Sequence, residues 1–152
     1  MSRMSNKVSS KIATLALVVT SSFLLSCKSE VRPINYGEVS CDFCRMTVVD
    51  KIHGAEIISD KGKVYTFDAV ECMVNFAMEK SFGDESKYLT NHYREPSELI
   101  DATEAFFLIS PDLPSPMGAN LTALPDKASA DEAMKDYHGE LLNWEELRER
   151  FN

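Results

Sequence analysis

The sequence predicts an α+β fold, two related small ββαβ modules sharing a core behind an N-terminal export segment and a short tether. Three observations predict it. Two strand-like runs, Ala55–Ser59 and Lys63–Phe67, flank the turn-forming Asp60-Lys61-Gly62. A helical pattern then places Val70, Met73, Val74 and Ala77 on one face. The same order, two short apolar runs and then a helical pattern, recurs after residue 104, at Ala105–Ile109, Leu121–Leu124 and Ala133, Met134, Tyr137.

The chain has 152 residues, 44% of them hydrophobic, which is enough to bury one shared core. Residues 1–26 read as an export segment. Arg3, Lys7 and Lys11 form a basic start, and Ile12–Val19 with Phe23–Leu25 form an apolar stretch too short and interrupted to span a bilayer. It ends at Leu24-Leu25-Ser26-Cys27, where a small residue precedes a thiol, the pattern of a lipoprotein signal. Cys27 is the expected lipidation site, so acyl chains would hold the chain to a membrane. Residues 27–37 are the lipidated cysteine and its aperiodic tether, and 38–152 are the folded domain, with modules over about 38–95 and 96–152. Cleavage removes three basic residues and no acidic one, so the formal charge of −8 becomes −11. A domain this acidic, without a basic stripe, excludes nucleic acid as a partner.

In the first module, Asp68 and Glu71 have the spacing of a capping box ahead of the helix, and Gly83 lies beyond its end. In the second, three prolines in Ser110–Gly118 predict an ordered loop between the strands. Ser129 and Glu132 offer a second capping box, and Gly139 a stop. Glu140–Asn143 returns as a strand, and a last helical turn runs from Trp144 to Phe151.

The densest chemistry is Cys41-Asp42-Phe43-Cys44-Arg45-Met46, two thiols and a thioether within six residues. Soft sulfur donors select soft ions such as Cu(I) over Ca, Mg or Mn. Cys44 and Met46, two apart, would share a face if the segment is extended. Met117 lies between Pro116 and Gly118 in a polar loop, outside any core period, and reads as a functional thioether. Cys72 and Met73 fall on the apolar helix, where packing explains Met73 and the pair is at most an accessory or transfer site. Competing readings of the cysteines are a redox Cys41/Cys44 dithiol, a structural zinc site with Cys41, Cys44, Cys72 and His53, and a structural disulfide. His53, His92 and His138 lack paired spacing and read as solvated. No G-x-S-x-G, H-E-x-x-H or phosphate-cradling glycine loop is present, so hydrolytic and phosphoryl-transfer chemistry has no support.

These residues resemble the NosL family, copper chaperones of nitrous oxide reductase maturation. The resemblance runs through Cys44-Arg45-Met46, Gly62-Lys63, Phe67-Asp68, Ile100-Asp101-Ala102, Phe106–Ser110, Pro116–Ala119, Gly139 and Trp144. It implies a Cu(I) cargo, Cys44 and Met46 as the metal motif and Met117 as the methionine of the second module, while Cys41, Cys72 and Met73 are secondary candidates on their own chemistry and not through the resemblance. It also implies a recipient cuproprotein or its ABC-type maturation complex as partner, and no catalysis, while Lys28 rather than an aspartate after the lipidated cysteine predicts sorting to the outer membrane, facing the periplasm. Arg45 departs from the small or uncharged residue expected between Cys and Met.

Overall fold

The structure is a computed structural model and describes residues 31–152. The export segment, Cys27 and the first tether residues lie outside the described residues. The elements run β1 (Ala55–Ile58), β2 (Val64–Phe67), α1 (Val70–Glu79), β3 (Lys87–Asn91), β4 (Leu99–Asp101), β5 (Phe106–Ile109), β6 (Leu121–Leu124), α2 (Lys127–Asp136), β7 (Glu140–Asn143) and α3 (Trp144–Arg150). They form two antiparallel sheets, in the order β2-β1-β3-β4 and β6-β5-β7.

The expected repeat is present in the topology. In each module the first strand is central, paired on one side with its hairpin partner and on the other with the strand that returns after the helix. The hairpin β1-β2 closes through the three residues the sequence marks, with Gly62 left-handed at φ 78° and its N–H donating to the Ser59 carbonyl at 2.8 Å.

One core joins the modules. Ile57, Phe67, Val70, Met73 and Val74 from the first pack with Phe107, Leu121, Trp144 and Leu147 from the second, all buried. Aromatic rings continue the contact across the boundary, from Phe82 to Tyr88 (6.2 Å), Tyr88 to Trp144 (5.4 Å) and Trp144 to Phe107 (6.1 Å). The helix α1 packs on β1 and β2 and also touches β6. The outer face of the second sheet carries a smaller core, where Leu108 and Leu124 meet Ala130 and Ala133 of α2.

Three expectations are corrected. Neither predicted capping box forms. The N-cap of α1 is Ala69, which has no side chain to cap with, and that of α2 is Asp126, whose carboxylate accepts from the Ser129 N–H at 2.7 Å. A reciprocal box occurs only at α3 among the described residues, between Asn143 and Glu146. Gly139 does not stop α2, which ends at Asp136. A Cβ at Gly139 would run into the Ile109 carbonyl oxygen, so the glycine lets the chain pass close to β5 before pairing with it as β7. The strands β3 and β4 carry no clear signal in the sequence. Lys87–Asn91 is polar at both ends, and β4 is only three residues long.

Candidate metal site

The Cys41–Met46 segment is a tight turn on a short ribbon rather than an extended strand. Ser40 bridges Thr47, and Val48 donates to Val39 at 2.9 Å. At the tip, the Cys41 N–H donates to the Met46 carbonyl at 2.7 Å and the Arg45 N–H to the Cys41 carbonyl at 3.0 Å. The turn requires Arg45 to sit left-handed at φ 69°, which costs a residue with a Cβ roughly 1 to 2 kcal/mol. It persists because the loop is pinned to β2, where Thr66 donates to the Asp42 carboxylate at 2.9 Å and accepts from the Asp42 N–H at 2.8 Å. The alternation that would put Cys44 and Met46 on one face therefore does not apply. Cys44 turns inward and is half-buried, and Met46 is 53% exposed.

What the turn brings together is Cys41, Cys44 and Cys72, whose sulfurs all lie within 4.8 Å of one another; all three thiols are free. Cys72 comes from the first turn of α1 and is buried about as deeply as Cys41. The Cys41 sulfur is held as a thiolate acceptor. The Cys72 thiol donates to it, and backbone N–H groups of Asp68, Cys44 and Phe43 add to this, so its pKa falls to about 5. Burial pushes Cys44 up, and Cys72, donating to Cys41, is pushed up strongly. This distribution runs against a disulfide-exchange dithiol, which needs an acidic thiol that a substrate can reach. Here the acidic thiol is fully buried and the reachable one is kept protonated.

Met117 occupies the corner of a turn in the proline-rich loop, 40% exposed, with the Gly118 N–H donating to the Ser115 carbonyl at 3.0 Å. The loop is ordered, as its prolines predict. Ser110 donates to the Asn120 carbonyl at 3.0 Å across its base, and the Asn120 N–H donates to Ser115 Oγ at 2.9 Å. Its anchor is Glu71 of α1. The buried Glu71 Oε1 accepts from Ser115 Oγ at 2.5 Å and from the Ala119 N–H at 3.4 Å, one bond on each side of Met117. The carboxylate expected to cap α1 instead ties the loop of the second module to the helix of the first, one residue before Cys72.

Met73, the neighbour of Cys72, is wholly buried in the shared core, the packing position its period predicts. Asp68, at the entry to α1, is buried with Oδ1 unpartnered and its pKa raised by burial. Of the histidines, His138 is exposed, while His53 is buried, contrary to the solvated reading, with Nδ1 3.0 Å from the Asp50 carboxylate. It takes no part in the thiol cluster. The sequence undervalued Cys72 because its helical period already explained it as core. The signal available was its place in the first turn of a helix, where backbone N–H groups favour thiolates.

No helix among the described residues is long and apolar enough to cross a membrane. Among curated proteins, none matches this chain. In fold the chain is similar to the crystal structure of the copper chaperone NosL from Shewanella denitrificans, at a TM-score of 0.66 and 18% sequence identity, over 78% of this chain and 96% of that one. A family profile described as NosL matches residues 34–151, which include both modules and the whole cysteine loop, and the chain therefore belongs to the NosL family.

Proposed function

We propose that the protein is a Cu(I) carrier of the bacterial cell envelope, which binds copper as cargo on sulfur and releases it to a recipient cuproprotein without catalysing a reaction. The observation that carries this reading is the gathering of three free thiols within 4.8 Å, with an exposed thioether, Met46, on the loop that supplies two of them. Thiolates and thioethers favour Cu(I) over harder ions. In this reading Cys44 and Met46 present the metal at the surface, and Met117 reaches it from a loop that Glu71 holds in place. The copper chaperone described for the Shewanella relative supports the assignment of copper as the cargo. The recipient is nitrous oxide reductase or the ABC-type complex that matures it, and acylated Cys27 tethers the domain to the outer membrane, facing the periplasm.

The test is equilibrium dialysis of the reduced protein against Cu(I) and Zn(II) together. The expected result is one Cu(I) retained per chain with zinc excluded. Stoichiometric zinc retained in the presence of Cu(I) overturns the reading in favour of a structural zinc site.

A further inference from the structure

We propose that the cargo occupies two stations that share Cys44: an inner one closed by Cys41, Cys44 and Cys72, where copper rests, and an outer one formed by Cys44 with Met46, from which it leaves. The proposal rests on the Cu(I)-carrier reading and divides its donors between holding and handing over.

The geometry of the inner station fits one ion. A metal–sulfur bond is about 2.3 Å, so three sulfurs placed trigonally around an ion stand about 4 Å apart. The observed set, within 4.8 Å, needs only a small contraction to close. Its donors come from two separately pinned elements, the loop fixed to β2 through Asp42 and Thr66, and the first turn of α1 fixed in the shared core. Backbone N–H groups already aim at the Cys41 sulfur, among them that of Cys44 at 3.4 Å, as they do where a thiolate is prepared for a metal.

The graded exposure of the donors gives the direction of travel. Cys41 and Cys72 are at most 1% exposed, Cys44 is intermediate and Met46 is 53% exposed. An ion bound only by the buried pair cannot be reached by a recipient's ligands, whereas one held by Cys44 and Met46 can. The left-handed Arg45 turns the chain between these two residues, so that Cys44 faces the inner sulfurs while Met46 faces solvent. In the transfer step the copper–Cys44 bond is kept, the bonds to Cys41 and Cys72 break, and one forms to Met46 sulfur. A recipient donor then displaces Cys44. The freed thiolates take protons from water, and copper stays Cu(I) throughout, so the step needs no oxidant.

The experiment uses the full-length protein in detergent, reduced and loaded with one equivalent of Cu(I). X-ray absorption counts the sulfur ligands at rest, and a bathocuproine-type Cu(I) chelator measures retention and release rate. The expected spectrum shows three sulfurs in the wild type and in Met46→Leu, and two in Cys72→Ala. Retention falls at least tenfold in both Cys41→Ser and Cys72→Ala, and release to the chelator slows at least tenfold in Met46→Leu. A resting spectrum that loses a sulfur in Met46→Leu overturns the proposal without reference to how the buried cysteine variants fold. So does wild-type retention in both Cys41→Ser and Cys72→Ala, and in either case the copper-carrier reading still stands. Wild-type protein that binds no Cu(I) overturns the parent reading instead.

Discussion

The two modules share a topology and differ in how their helices begin. The helix α2 starts in the ordinary way, with an exposed Asp126 cap, a Lys127–Asp131 pair on its surface, and only Ala130 and Ala133 buried. The helix α1 starts from a buried, uncapped Ala69 and buries Val70 through Val74, including Glu71 and Cys72. Giving up a capping side chain forgoes about 1 kcal/mol. What the first module gains is a helix entrance whose side chains serve tertiary purposes, with Cys72 meeting the cysteine loop and Glu71 holding the Met117 loop. Every buried carboxylate among the described residues, Glu56, Asp68 and Glu71, also belongs to the first module. The difference teaches that the second module is built for stability and the first spends stability on a site.

The comparison breaks first at the core that joins the modules. Phe107→Ala empties the second module's largest fully buried position, in contact with Trp144. It should cost about 3 to 5 kcal/mol and, because the core is continuous, lower a single unfolding transition rather than split it in two. Two resolved transitions in calorimetry would show modules that fold separately.

Glu56 tests the claim that the first module carries the electrostatic cost. It lies in the central strand β1, 4% exposed, with Oε2 unpartnered, and burial raises its pKa to about 7. The fold favours the protonated acid. Its contribution is therefore fully present below the unfolded-chain value of about 4.3 and is lost as pH rises through about 7, by on the order of 3 to 4 kcal/mol. Thermal unfolding from pH 4.5 to 8 should show this decline in the wild type and a flatter profile in Glu56→Gln. Equal slopes would remove Glu56 from the account.

Smaller effects sharpen the division of labour. Met117→Ala should slow Cu(I) transfer to a chelator severalfold and leave unfolding unchanged, since its side chain stands at an exposed turn and would meet copper only as it leaves the buried thiols. Asp126→Ala should do the opposite, costing about 1 kcal/mol of stability and leaving Cu(I) affinity as it was. Chelator competition and urea unfolding on both variants would read the pair. A shift in affinity from Asp126→Ala would mean that the modules are not divided in this way.

The repeat was legible because hairpin turn chemistry and helical period are local properties. Asp60–Gly62 and the Val70, Met73, Val74 face state them within a few residues, and the structure follows them. Caps were misassigned by one to three residues because Asp68 and Ser129 fit the local pattern as well as the true N-caps do. Only burial of Asp68 against its surroundings and the reach of Asp126 decided between them. The site was half legible. Cys41, Cys44 and Met46 are neighbours in sequence, but the joining of Cys72 to them depends on a left-handed Arg45 and on the docking of α1. The Glu71–Ser115 contact spans 44 residues and leaves no local trace.

The most direct measurement is an amide NMR spectrum of the reduced, isotopically labelled protein, recorded before and after one equivalent of Cu(I). The account predicts that shifts concentrate at residues 41–46, at the α1 entrance from Asp68 to Cys72, and at Ser115–Ala119 of the clamped loop. It also predicts that α2, from Lys127 to Asp136, stays still. Shifts centred on α2, or none at the thiol cluster, would contradict the claim that the first module holds the copper.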